Sequence, residues 1–178
     1  MAKNKYINYF KNKNILITGG TGLIGMPLAQ LLINLGAKIS IVSLDKKPKL
    51  KGKFKFLKKD LRELKNCIQI CKNQEIVFHL AGVKGSPLMT MKKPASFLVP
   101  TVTFTFNMME AARRSGVKRF LLTSSIGVYA KSKIFNEDSV WKTFPSENDK
   151  FAGWAKRLCE LQAEAYKIQY GWGAISII

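Results

Sequence analysis

Ile17-Thr18-Gly19-Gly20-Thr21-Gly22-Leu23-Ile24-Gly25 is the stretch that decides the fold. Just before it, Asn14 to Thr18 (NILIT) is a short apolar run that reads as a strand. From Leu23 to Leu35 the chain (LIGMPLAQLLINL) is helix-like, and Gly36 stops it. A strand that turns at once into a helix needs a residue tolerant of positive φ. The glycines that matter are Gly19, Gly22 and Gly25. A pyrophosphate can lie against such a backbone because no Cβ intrudes. The helix that follows offers unpaired N–H groups and the positive end of its dipole. Gly25 lets that helix pack close to the strand. Leu23 and Ile24, where the helix opens, join the three glycines as candidate binding positions.

A glycine trio alone is a weak signal. This one follows a strand, opens a helix, and has an acid, Asp45, 20 residues beyond its last glycine. Asp45 closes a second apolar run, Lys38 to Leu44 (KISIVSL). A carboxylate there can accept hydrogen bonds from both ribose hydroxyls of an adenosine and repels a 2′-phosphate. That favours NAD over NADP, and the adjacent Lys46 and Lys47 soften the preference.

Outward from this unit, strand-like and helix-like segments alternate. Phe54 to Leu57 is a weak third strand. Leu61 to Cys71 is helical, with Leu61, Leu64, Ile68 and Cys71 at helical spacing. Glu75 to Leu80 (EIVFHL) is a fourth strand, followed by a loop rich in Gly, Pro and Lys from Gly82 to Pro94. A helix is expected from Ala95 to Ser115, and a fifth strand from Val117 to Thr123. A long polar loop leads to a helix from about Asp149 to Tyr170. Ala174 to Ile178 opens a sixth strand. Such alternation predicts an α/β fold, a doubly wound parallel Rossmann sheet with helices on both faces, ending within strand six.

Composition narrows the class. The chain has 178 residues, 47% of them hydrophobic, enough for one domain with a real core. Residues 1–13 read as a basic extension without the apolar stretch of a secretory signal, and no apolar run reaches membrane-helix length. The default location is the cytoplasm. The formal charge of +19 raises nucleic-acid binding as a possibility. Against it, 25 of the 30 basic residues are lysines spread among Asn and Ile, as AT-rich coding produces. The densest run, Lys46 to Lys59, has few aromatics for base stacking and no recognisable nucleic-acid motif. No nucleic-acid or membrane partner is expected. Cys67, Cys71 and Cys159 are odd in number and lack metal-ligand companions, so they are expected reduced and packed. His79, the only histidine, is expected in the core with a satisfied ring.

Several further motifs resemble one family. Spacing of the GxxGxxG type is typical of short-chain dehydrogenases. Asp60-Leu61 resembles that family's adenine-holding pair. His79-Leu80-Ala81-Gly82-Val83-Lys84 resembles its strand-four motif, in a form similar to UDP-galactose 4-epimerases. Asn107-Met108-Met109-Glu110-Ala111 resembles a family helix, and Thr123-Ser124-Ser125-Ile126-Gly127-Val128-Tyr129 its strand-five signature. Lys156-x-x-x-Glu160 matches its active-site helix. The chain resembles extended short-chain dehydrogenase/reductases, the NAD-dependent epimerases and dehydratases of nucleotide sugars, from Ile15 to Ile178.

The resemblance implies a cofactor that takes a hydride from a sugar carbon while a tyrosine removes the hydroxyl proton. A lysine four residues on lowers the tyrosine's pKa, and a serine holds the reacting oxygen. Bringing a phenol from about 10 to about 7 takes roughly 4 kcal/mol of preferential phenolate stabilisation. Carried over residue by residue, Ser125 and Lys156 are the catalytic candidates. Cofactor-binding candidates are Asp60, Leu61, Leu80, Ala81, Gly82, Lys84, Thr101, Ser124 and Lys156, beside Asp45 and the glycine loop. Thr101 stands where the family often has Asn.

The tyrosine is missing: the register set by Gly153, Lys156 and Glu160 puts Ala152 in its place. Three explanations stay open: proton transfer by another group or water, a cofactor-binding pseudoenzyme, or a deliberate inactivating change. Tyr129 is a conceivable stand-in. A narrower alternative is similarity to GDP-fucose synthase, an NADPH reductase/epimerase, against which Asp45 argues. The resemblance also implies a C-terminal substrate domain, absent here, and a possible homodimer through the two long helices.

Overall fold

The computed structural model describes residues 8–83 and 85–178. Six strands form one sheet: β1 (Asn14–Thr18), β2 (Lys38–Val42), β3 (Phe54–Leu57), β4 (Ile76–His79), β5 (Arg119–Leu122) and β6 (Ile175–Ile177). Their spatial order is β3-β2-β1-β4-β5-β6, and every pairing is parallel. This is the doubly wound order, in which the chain leaves β1 in one direction across the sheet and returns to β4 on its other side.

The strands are apolar throughout because both faces are covered. Alternate side chains sort the two cores. Leu16, Val42, Val77, Phe120 and Leu122 point to one face, where they meet α2 (Leu64–Cys71), α4 (Ala95–Arg114) and α5 (Lys150–Tyr170). Ile15, Ile17, Ile39, Ile41 and Ile76 point to the other, against Ala29 and Leu32 of α1 (Gly25–Asn34). The three cysteines are free and buried in the first core. Burial pushes the thiols of Cys67 and Cys71 up to about 12 and that of Cys159 to about 11. They pack as small apolar groups.

Three expectations about elements need correction. The segment after β4 is not loop throughout: Pro87–Lys92 forms a short helix, α3. Ser86 caps it, its hydroxyl accepting the Met89 N–H at 3.3 Å. The Ser-Pro pair was a helix-start signal hidden among breakers. The helix expected from Leu23 begins at Gly25, with Leu23 and Ile24 in the preceding turn. Likewise α2 starts at Leu64, leaving Asp60 and Leu61 in the turn before it.

The polar loop between β5 and α5 holds three short 3₁₀ segments, Ile126–Val128, Glu137–Lys142 and Glu147–Asp149. Its first segment is pressed against α5 at Gly153. A Cβ there would stand 2.1 Å from the Gly127 carbonyl oxygen and 2.8 Å from Pro145. Backbone cannot yield as a flexible side chain can, so Gly153→Ala should cost about 1–3 kcal/mol of stability. Gly173→Ala, where nothing lies within 4 Å, should be near neutral. Urea denaturation of the two variants beside wild type checks this.

Candidate functional site

At the carboxyl end of β1 the chain makes its closest approach to β4. Gly19 has φ of +68°, and a Cβ on it would lie 2.7 Å from the Leu80 carbonyl oxygen. Its N–H donates to Val42 O at 2.9 Å, and its own carbonyl accepts from Gly22 N–H at 3.0 Å. A Cβ on Gly25 would fall 2.4 Å from Gly19 O. The loop is thus folded back on itself so tightly that side chains are excluded at both ends. Leu23 and Ile24 project into solvent, 92% and 63% exposed. Among the described residues their N–H groups, and that of Gly25, meet no protein acceptor. Three donors at the start of a ten-residue helix are therefore available to an anion.

This loop floors a cleft of about 680 Å³. Of the residues singled out in the sequence, Gly19, Gly22, Asp45, Asp60, Leu61, Leu80, Ala81 and Gly82 line it together. Thr21 and Ser43 line it too and were not foreseen. The Thr21 hydroxyl donates to Asp45 Oδ2 at 2.8 Å and lies 2.8 Å from Ser43 Oγ, while Ser43 Oγ accepts the Asp45 N–H at 3.1 Å. A threonine inside the glycine loop and a serine two before the acid were the available signals. Together they hold the Asp45 carboxylate at the cleft wall.

Across the cleft, Arg62 grips Asp60 with Nη2–Oδ2 of 2.6 Å and Nε–Oδ1 of 3.1 Å. That guanidinium holds the Asp60 carboxyl below its usual range. Asn107 of α4 ties down the same turn, its Nδ2 donating to Leu61 O at 3.2 Å and Arg62 O at 2.9 Å. Ser96, Pro100 and Phe104, one stripe of α4, form the remaining wall. Thr101 is next to this stripe and half-buried, but does not line the cleft. Lys84 lies outside the described residues.

The other expected site residues stand beyond β5. Ser124 donates its hydroxyl to Glu160 Oε1 at 3.0 Å and its N–H to Ile178 O at 2.6 Å. Ser125 Oγ accepts the Gly127 N–H at 3.2 Å. Lys156 donates from Nζ to Thr123 O at 2.7 Å. Burial lowers its pKa, against an opposing pull from Cys159 and Glu160. Ala152 lines a separate cavity of about 230 Å³ between α3 and the start of α5. Tyr129 packs its ring on Phe135, centroids 5.2 Å apart.

His79 is fully buried between the two regions. Its Nδ1 lies 2.8 Å from Thr18 Oγ1 and its Nε2 3.1 Å from Thr105 Oγ1. Thr18 Oγ1 also accepts the Ala81 N–H at 3.2 Å. The ring is satisfied on both nitrogens, as a core histidine should be.

The sequence profile of the NAD-dependent epimerase/dehydratase family matches residues 15–178. The chain belongs to that family. Among its relatives, GDP-mannose 3,5-epimerase 1 of Oryza sativa subsp. indica is 30% identical over 142 residues, 75% of this chain and 38% of the rice protein. The solved structure of MoeE5 in complex with UDP-glucose and NAD is 28% identical, with a TM-score of 0.76 over 92% of this chain and 52% of that one. Epimerase Mth375 from Methanothermobacter thermautotrophicus shares the fold, with a TM-score of 0.81 at 24% identity, covering 98% of this chain and 52% of that one. The chain thus spans about half the length of these proteins, or less. Among the described residues no helix is long and apolar enough to cross a membrane, and no group of three or more side chains could hold a metal ion.

The buried His79 predicts a pH effect. Burial, aided by Lys156, pushes its pKa down to about 3, against about 6.5 unfolded. The unfolded chain therefore takes up a proton before the folded one does. Stability from the neutral ring is complete above about 6.5 and falls as pH drops toward 3. Carboxylates begin to contribute only below about 4.5, and His79 is the only histidine. Between those limits stability should fall by up to roughly 1.4 kcal/mol per pH unit. His79→Gln should flatten that slope in urea titrations.

Proposed function

We propose that this chain is the NAD-binding half of a nucleotide-sugar epimerase or dehydratase. One observation carries the reading: the Gly19–Gly25 loop closes against Leu80 with no room for a Cβ, and leaves the N–H groups of Leu23, Ile24 and Gly25 open beside a dinucleotide-sized cleft. A diphosphate resting on those donors puts one nucleoside toward Asp45 and Asp60. Asp45, steadied by Thr21, accepts the adenosine ribose hydroxyls, while Asp60, Leu61 and the α4 stripe flank the base. The MoeE5 complex with UDP-glucose and NAD supports both ligand classes in a protein of the same fold.

Bound NAD supplies the hydride acceptor. This chain's residues hold it and manage the substrate oxygen. Ser125 offers a hydroxyl to that oxygen. Lys156, an ammonium destabilised by burial, lies one strand-end away and would hold the second ribose. Leu80, Ala81 and Gly82 form the segment passing beneath the dinucleotide, with Ser124 and Thr101 at its far end; the resemblance adds Lys84 to the cofactor-binding residues. Sugar specificity is assigned to the portion of the relatives' length that this chain does not span. The exposed stripe Leu158, Leu161 and Ile168 on α5, beside Val99 of α4, is the proposed face for a second copy of the chain.

NAD should raise the melting temperature in a concentration-dependent way, and Gly19→Val should abolish the shift. NAD should bind at least about tenfold tighter than NADP, because a 2′-phosphate against Asp45 costs the order of 1.4 kcal/mol or more. Asp45→Gly should narrow that gap. Calorimetric dissociation constants for both coenzymes decide it. A chain that neither coenzyme stabilises would remove the reading.

A further inference from the structure

Position 152 is Ala, so the reading above leaves the substrate hydroxyl proton without an acceptor. The structure puts a cavity there, walled by Thr90 and Met91 of α3 on one side and by Glu147, Asp149, Phe151 and Ala152 on the other. Asp149 is the N-cap residue of α5. An aspartate in that place ordinarily accepts an N–H from the helix's first turn. Asp149 does not: its carboxylate makes no capping hydrogen bond. It is turned instead against Gly127. A Cβ on Gly127 would stand 2.9 Å from Asp149 Cβ, 3.5 Å from its Cγ, and 3.5 Å from Ser125 Oγ. The Asp149 carboxyl carbon and the Ser125 hydroxyl are therefore no more than 7.0 Å apart, twice that last distance.

Helical spacing aligns the rest. Positions 149, 152 and 156 are i, i+3 and i+7, one stripe of α5, and side chains on it lean toward the helix start. Ala152 and Asp149 line the same cavity, which the methyl group at 152 leaves open. The charges nearby are accounted for. Glu147 and Lys150 pair with each other at 3.6 Å. The Ile126–Val128 turn brings no charge, and α3 carries Lys92 in its last turn. Among the described residues Asp149 has neither an ion pair nor a side-chain hydrogen bond. In a chain of net charge +19 that is a carboxylate kept unpaired near Ser125.

We propose that Asp149 is the proton acceptor that replaces the missing phenol. The proposal rests on the reading of the chain as the NAD-binding half of a nucleotide-sugar enzyme. The substrate O–H bond breaks and its proton passes to an Asp149 carboxylate oxygen. The carbinol C–H electron pair leaves as hydride for oxidised nicotinamide, which is reduced. A C=O bond forms, held by the Ser125 hydroxyl, and the neutral Asp149 returns the proton in the reverse step.

The test takes the whole polypeptide with NAD and a panel of UDP- and GDP-hexoses. Asp149→Asn should leave the NAD dissociation constant within about twofold and cut formation of reduced nicotinamide by about 100-fold or more. Asp149→Glu, which keeps the carboxylate, should retain part of the turnover. Adding Ala152→Tyr to Asp149→Asn should restore it, which a fold defect could not do. Independently of turnover, the carbon-13 titration midpoint of the Asp149 carboxyl should fall when NAD and sugar nucleotide bind, because a donated O–H favours the charged form. The proposal is overturned if Asp149→Asn turns over like wild type. It is equally overturned if wild type binds NAD without turnover, or if the midpoint ignores both ligands. Failure to bind NAD at all overturns the cofactor reading as well, and the binding measurement reports that separately.

Discussion

The contact between Gly19 and Leu80 is the constraint on which the site depends. β1 is hydrogen-bonded to β2 on one side and β4 on the other, in register from Ile15 to Thr18. Past Thr18 the two neighbours part company. The chain from β1 turns toward α1, and the chain from β4 runs the opposite way, toward α3. A crevice must open where they separate. Its depth is set by how closely the two backbones can lie before they part. With no Cβ on Gly19 and none on Gly25, the loop stays flat against Leu80 and the α1 dipole points into the crevice rather than over it. A bulkier residue at either place would lift the loop, and both the open N–H groups of Leu23, Ile24 and Gly25 and the Asp45 wall would move with it.

A second, buried connection holds the crevice from below. Thr18, His79 and Thr105 bridge β1, β4 and α4 through one imidazole ring. Thr18 Oγ1 accepts the Ala81 N–H and lies within hydrogen-bond distance of His79 Nδ1, and His79 Nε2 lies within reach of Thr105 Oγ1, so one hydroxyl stands at each ring nitrogen. Phe104 and Phe120 lie against the ring at 5.7 and 5.8 Å. Fully paired in an apolar setting, this column fixes the spacing of two strands and a helix under the cleft. It also explains why a histidine inside an apolar strand is no catalytic candidate: both nitrogens are engaged and burial keeps it neutral.

Much of this could be read from the chain, for definite physical reasons. Buried parallel strands are short unbroken apolar runs, and Gly36 and Gly116 mark helix ends, so sheet and order were legible. The glycine trio and Asp45 were legible because their spacing is tied to the strand–turn–helix unit. Thr21, Ser43 and Arg62 were not, since each works through a partner brought near only by folding: Asp45 for the first two, Asp60 for the third. Asn107 was visible as part of a motif, but its function of clamping Leu61 and Arg62 spans more than forty residues. α3 was missed because Gly, Pro and Lys around it read as breakers, although Ser86-Pro87 is a sound helix start.

The start of α5 is organised by two buried cations rather than by the residue at position 152. Lys156 and Arg157 are both withdrawn from water, and among the described residues neither is matched by a carboxylate in contact. Lys156 donates to Thr123 O; Arg157 donates to Val128 O and Thr143 O, and its guanidinium lies over Trp141 and Trp154. Carbonyl dipoles and ring faces are weaker hosts for a cation than a carboxylate, so burial lowers the pKa of both side chains. Two such cations side by side cost stability, yet between them they shape the whole segment from Thr123 to Thr143. Removing a phenol from position 152 leaves that framework standing, because none of its hydrogen bonds passes through residue 152. The geometry around Ser125 is therefore set by Gly127, Gly153 and the two cations, and a proton acceptor can be supplied from the adjoining turn without rebuilding it.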